Sequence, residues 1–157
     1  MKTIVLGIGN PILQDDGVGI HVINHLRTHV TDPEILVDTA CTGGMNLLDM
    51  IRGFDKVILV DAVKKEGGKT GEVSRFLLTQ APAVHSSNPH DLSLSEALLL
   101  ASLLGEKRLP REIVVIGITV DNTDDFGEHL STEVAAAVPT AVSLVLEELQ
   151  NREGISI

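Results

Sequence analysis

The stretch TIVLGIGNPILQDDGVGIHVINHL, residues 3–26, holds the parts of a strand–loop–helix unit in order. Thr3-Ile4-Val5-Leu6 is a β-branched apolar run, closed by Gly7-Ile8-Gly9. Val18, Val22, Ile23, Leu26 and Val30 then recur at helical spacing, so the segment around residues 16–30 reads as an amphipathic helix. A buried run followed by a helix-length segment is the repeating unit of a parallel α/β sheet. The pattern continues outward with a second strand at Ile35-Leu36-Val37 and a helix near Met45–Arg52. Val57-Ile58-Leu59-Val60 is apolar throughout, as a strand covered on both faces should be. Glu72 to Leu78 reads as a further strand, entered through Gly67-Gly68 and Gly71. The linker before it is too short for a crossover helix, so antiparallel pairing is expected. Leu92–Leu104 is expected to be a helix with Ser93 as N-cap, Glu96 completing a capping box and Gly105 ending it. Being apolar almost all round, it is expected to be well buried. Ile113-Val114-Val115-Ile116 is another buried strand. Ser131 is expected to cap a last helix that runs to about Asn151 and kinks at Pro139. These elements make one domain over residues 1–151, with a frayed tail at 152–157.

Composition narrows the function classes. The chain has 157 residues and a net charge of −10, with 43% hydrophobic but only 2% aromatic residues. That charge argues against phosphate backbones and anionic lipid, both of which rely on clustered Lys and Arg, so no nucleic acid or membrane partner is expected. Base stacking is equally poorly supplied by three phenylalanines and no Trp or Tyr. A single cysteine, Cys41, excludes an internal disulfide and a four-cysteine zinc site. Met1-Lys2 leads straight into a strand with no signal-peptide pattern, and no apolar run spans a bilayer, so a cytoplasmic location is expected.

Ligands of open α/β sheets collect outside the carboxyl ends of the strands. After the first strand the sequence places Asn10, Asp15 and Asp16; after the second, Asp38, Cys41, Thr42, Gly43 and Gly44; after the third, Asp61. His85 and His90 precede the Leu92–Leu104 helix, and Asp121, Asp124 and Asp125 follow the Ile113–Ile116 strand. Gly7-Ile8-Gly9 invites a dinucleotide reading, with Asp38 suited to a ribose. Against it, Ile12 occupies the third glycine position, and Asp15 and Asp16 would repel a pyrophosphate. Either Asp taken alone is explained as a helix N-cap or first-turn residue. The pair, with Asp61 ending an apolar strand and His90 on a neighbouring loop, offers oxygen and nitrogen ligands to a borderline divalent metal.

Other constellations are weaker. His21, His25 and His29 recur every fourth residue along the edge of the helix's apolar stripe, where a partly solvated face accounts for them. Cys41 has no base fixed near it in sequence. The loop Asp121–Gly127 imitates the start of an EF-hand, but its glycine comes one place late. No Gly-x-Ser-x-Gly elbow supports a serine triad.

LGIGNPILQDDGVGIHVINHL (residues 6–26), Val60-Asp61-Ala62, and SSNPHDLSLSEAL (residues 86–98) together resemble the nickel–iron hydrogenase maturation endopeptidases. GITVDN (residues 117–122) and HLSTEVAAAVPTAV (residues 129–142) look like that family too, so the similarity runs through nearly the whole chain. With the five strands above, the resemblance implies a three-layer α/β fold, a twisted, mostly parallel five-stranded sheet with helices on both faces. It implies a nickel site of an acid after the first strand, an Asp after the central strand and a later His: Asp16, Asp61 and His90. Some members have Glu at the first position; Asp16 keeps the charge and shortens the reach. A glycine-rich recognition loop falls on Cys41-Thr42-Gly43-Gly44, less rich in glycine here than in some relatives, with Asn10 and Asp38 beside it at the substrate. The implied reaction removes a C-terminal extension from the precursor of a hydrogenase large subunit after nickel insertion. Nickel is then carried by the substrate as the recognition element, without requiring a resident metal in the enzyme, and a monomer suffices. A non-catalytic nickel-binding or nickel-sensing chaperone would use the same three ligands, and a nucleotide-binding domain is the third reading.

Overall fold

In the computed structural model, which describes residues 1–41, 44–78, 89–121 and 126–151, five strands form a single sheet. They are β1 (Thr3–Ile8), β2 (Ile35–Ala40), β3 (Lys56–Val63), β4 (Val73–Leu77) and β5 (Glu112–Thr119), in the order β2-β1-β3-β5-β4. All pairings are parallel except β4 with β5, which is antiparallel as expected from the short connection. The helices are α1 (Val18–Leu26), α2 (Gly44–Ile51), α3 (Pro89–Leu103) and α4 (Thr132–Gln150). The predicted three-layer α/β architecture is the one observed.

Strand alternation sorts the core into two halves. Val5, Ile58, Val60, Val114 and Ile116 pack under α1 and α4, whereas Ile4, Leu6, Val57, Leu59 and Val115 pack under α2 and α3. Every residue of β1 and β3 is buried, which explains why these two strands read as continuous apolar runs. The direction of travel reverses after β2: the chain moves from β1 to β2 on one side, then crosses back to β3 on the other. Right-handed crossovers therefore place α1 and α2 on opposite faces. The carboxyl ends of β1 and β3 flank this reversal, which is where α/β sheets open a crevice.

Two local expectations change. α3 begins at Pro89, so Ser93 lies inside it rather than capping it; proline is well suited to a first helical position because its missing N–H would be unpaired there anyway. Nor is α3 well buried. Leu94, Ala97 and Ala101 face the core, but Leu99, Leu100 and Leu103 are 63%, 49% and 75% exposed, and Leu104 just past the helix is 78% exposed. A helix in an outer layer covers only one stripe against the sheet, and its all-round apolar surface does not alter that geometry. Its end is as expected: Gly105, at φ +84°, donates to Ser102, and Glu106 donates to Ala101. This is the double hydrogen bond of a Schellman cap. α4 continues through Pro139 as one helix. The proposed tail at 152–157 lies outside the described residues.

Candidate active site

The loop after β1 is shaped by close approaches. Gly9 sits at φ +149°, and a Cβ there would come within 2.0 Å of the Asp16 carbonyl oxygen. Only glycine lets the acid-bearing turn fold back onto the strand end. A Cβ on Gly19 would meet the Val60 carbonyl oxygen at 2.3 Å, so the start of α1 lies directly on β3, one residue before Asp61. The 3-10 turn Gln14–Gly17 is therefore pressed against the central strand.

Within that turn the two adjacent acids separate. Asp16 is half-buried, and its Oδ2 accepts the backbone N–H of Asn10 at 2.8 Å. Asn10 uses its own Oδ1 to accept the Ile12 N–H at 3.2 Å, holding the loop in an Asx turn. Asp15 is buried and faces away, accepting the Ser131 N–H and hydroxyl at 2.7 Å each. The expectation that Asp15 offsets a helix terminus is right in kind, but the terminus belongs to α4, 116 residues away, not to α1. Ser131 occupies the N-cap position of α4 without capping it, because its hydroxyl is donated to Asp15.

Asp61 is fully buried near the carboxyl end of β3, in register with Gly117 of β5. It shares its face of the strand with Val57 and Leu59, the face that α2 and α3 cover. The connection from α3 to β5 is tied to the amino edge of the sheet, where Arg108 accepts from Gly53 and Arg111 donates to Asp55 at 2.9 Å each. The helix has 15 residues and begins at Pro89, one residue before His90. Asp16 and Asp61 both lie towards the carboxyl edge of the sheet, after β1 and near the end of β3; the side chain of His90 lies outside the described residues. Among the described residues no three His, Cys, Asp or Glu side chains form a metal-binding group.

Other predicted positions are more peripheral. Asp38, half-buried on β2, turns its Oδ1 back to the N–H of Thr39 at 2.8 Å. Cys41 is exposed after β2, and Gly44 begins α2. Thr42, Gly43, His85, Asp124 and Asp125 lie outside the described residues. The rings of His21, His25 and His29 each contact a backbone carbonyl, those of Glu128, His21 and His25 respectively. Their spacing thus serves the helix surface.

A family model for hydrogenase maturation proteases matches residues 20–148. The chain belongs to the hydrogenase maturation protease family. The Hydrogenase 2 maturation protease of Escherichia coli is 26% identical over 153 residues, covering 96% of this chain and 92% of that protein. The hydrogenase expression/formation protein HupD of Thiocapsa roseopersicina is 29% identical over 156 residues, covering 94% of this chain and 67% of its own length. Among solved structures, the maturating endopeptidase HybD from E. coli superposes with a TM-score of 0.83 at 25% identity, covering 97% and 94% of the two chains. The HybD protease from Thermococcus kodakarensis gives 0.71 at 28% identity, covering 94% and 98%. This maturation protease is accordingly a peptide-bond hydrolase on the α/β scaffold described above. Among its described residues no helix is long and apolar enough to cross a membrane.

The contacts that organise the acid loop were not legible in the sequence. Ser131 is separated from Asp15 by 116 residues, and no local periodicity links such positions.

Proposed function

We propose that this maturation protease removes a C-terminal extension from the precursor of a hydrogenase large subunit, and that nickel already carried by the precursor is what it recognises. What supports the reading is that Asp16 follows β1 and Asp61 lies near the carboxyl end of β3, the strand paired parallel with β1, at the switch point of the sheet. Two carboxylates and an imidazole suit a borderline divalent cation. Asp16, held by the Asn10 N–H through one oxygen, keeps its other oxygen for the metal. Asp61 enters from a rigid strand with all its neighbours buried, so its position is set by the core. The segment Cys41-Thr42-Gly43-Gly44 after β2, with Asn10 and Asp38, would receive the substrate chain.

In hydrolysis, water adds to the scissile carbonyl, and its proton leaves with the new amino terminus. Asp16 or Asp61, as general base, takes that proton as the water adds and hands it to the departing nitrogen, beside the nickel that the substrate carries. The test is incubation with nickel-loaded and nickel-free precursor. Shortening of the loaded form alone supports the reading, and binding without cleavage turns it into a chaperone. Full processing by the Asp16→Asn/Asp61→Asn double variant would remove the carboxylate base from the mechanism.

A further inference from the structure

We propose that Asp15 is a positioning residue for Asp16: it locks the acid turn to the N-terminus of α4 and so fixes where the neighbouring carboxylate meets its cation. The proposal rests on reading Asp16 as a nickel ligand.

Two carboxylates on consecutive residues would ordinarily compete for one cation. Here the competition is removed. Asp15 is 3% exposed, and each of its oxygens accepts a 2.7 Å hydrogen bond from Ser131. Those bonds place it at the positive end of a 19-residue helix, where the oriented peptide dipoles compensate its charge. One residue on, Asp16 is aimed elsewhere and stays half-buried.

The turn between them does not hold itself. Gln14 has φ +43°, a left-handed conformation that costs a side-chain-bearing residue about 1–2 kcal/mol. Such a conformation persists only where the surroundings over-determine it. Gln14 donates to the Gly127 carbonyl and Gly127 donates to the Ile12 carbonyl, at 2.8 Å each. The same loop is tied to α1 through His21 and the Glu128 carbonyl at 3.2 Å. Asp15–Ser131 is a further tie, and it joins side chain to side chain. Its anchor is firm, because Val134 and Ala141, in the half of α4 that follows Ser131, are fully buried in the core. Four residues of the acid turn are thereby built from both ends of the chain.

A mere helix cap would stabilise α4 and leave the site untouched, and the two roles separate by experiment. Ni²⁺ alone is titrated calorimetrically into the purified full-length chain, and kcat and KM are measured on nickel-loaded precursor. Asp15→Ala is expected to weaken Ni²⁺ binding about 10–100-fold and to lower kcat by a similar factor, with KM moving less. Asp15→Asn, whose remaining oxygen still accepts the Ser131 N–H, is expected to recover most of both. Val145→Ala serves as the control: it loosens α4 through the core and should lower Tm while leaving Ni²⁺ affinity unchanged. Should Asp15→Ala fail to fold, Ser131→Ala removes one of the two bonds and should show a smaller loss of the same kind. Unchanged Ni²⁺ affinity in Asp15→Ala (or in Ser131→Ala where that variant stands in), or an equal loss in Val145→Ala, overturns the positioning role. Wild-type protein that neither binds Ni²⁺ nor cleaves the loaded precursor overturns the site reading and this proposal with it. That result is distinct from an active wild type with an insensitive Asp15→Ala.

Discussion

Strand β3 carries a charged residue towards each end, and the two are treated in opposite ways. At the amino end, Lys56 is buried and surrounded: its Nζ lies 2.9 Å from Glu148 Oε2 and 3.3 Å from Glu112 Oε1, and it also donates to the Glu148 carbonyl at 3.3 Å. Arg75 of β4 completes the cluster on the other oxygen of Glu148. Charge there is answered by charge, and three strands and α4 are joined at one point. Five residues along, at the carboxyl end, Asp61 shares its edge with Asp15 and Asp16. Asp15 is compensated by a helix terminus and Asp16 receives a backbone N–H. The ion cluster at the amino end neutralises itself and joins sheet to helix, whereas the acids at the carboxyl end are met by backbone N–H groups and a hydroxyl.

The comparison is broken most severely at the carboxyl end. Asp61→Asn keeps shape and volume but removes a charge, and is expected to lower processing of nickel-loaded precursor by at least about 10³-fold, on the scale of losing a principal electrostatic group. Electrophoresis of the precursor reads this directly, and circular dichroism should show the same folded content as wild type. Preserved cleavage would place the site elsewhere.

At the amino end the loss should fall on stability. Glu148→Ala leaves Lys56 buried without its closest counter-charge, which costs about 3–5 kcal/mol. Urea unfolding should show that drop, while kcat per folded molecule stays at the wild-type value. A drop in kcat would mean the two ends of β3 are coupled.

Between them lies the seam that joins helix to strand. Gly19→Ala would drive a Cβ onto the Val60 carbonyl, forcing α1 off β3 at a cost of about 1–3 kcal/mol and displacing the acid turn. Processing should suffer as well as stability. Gly53→Ala is the sharper contrast: nothing lies within 4 Å of its Cβ, and only the φ of +91° opposes it. About 1 kcal/mol is expected, with activity unchanged. Thermal unfolding beside precursor processing separates the two variants.

The smallest effect is one of pH. Burial pushes the Glu148 carboxyl up, but the hydrogen bonds and charges of Arg75 and Lys56 together outweigh it and hold the group below its ordinary value of 4.5. A lowered carboxyl contributes its full stability above the unfolded value and loses it as pH falls through the folded one. Urea midpoints should therefore decline below about pH 4.5 in wild type, and Glu148→Gln should flatten that decline. An unchanged slope would locate acid sensitivity in other carboxylates.

Much of the architecture was legible because burial writes itself into short-range pattern. β3 is covered on both faces and so reads as an unbroken apolar run; Gly105 follows its helix because a left-handed residue ends it. α3 shows where such signals stop. Its composition is apolar on every side, yet Leu99, Leu100 and Leu103 are exposed, since burial depends on which layer a helix occupies. The candidate acids were visible as residues after strands, but Asp15 and Asp16 looked equivalent. The difference lies in Ser131 and Asn10, one distant in sequence and one nearby.

By itself the sequence determined the five strands, their mostly parallel arrangement and the edge on which Asp16 and Asp61 belong. Hydrophobic period and glycine position act over a few residues and need no partner to be read. Only the tertiary structure decided which acid is tied to a helix and which to its own loop. It also decided that a left-handed Gln14 is held by Gly127, and that Lys56 is answered by Glu148 and Glu112. Hydrogen bonds and ion pairs act over about 3 Å in space, and chain separation places no limit on which residues they join.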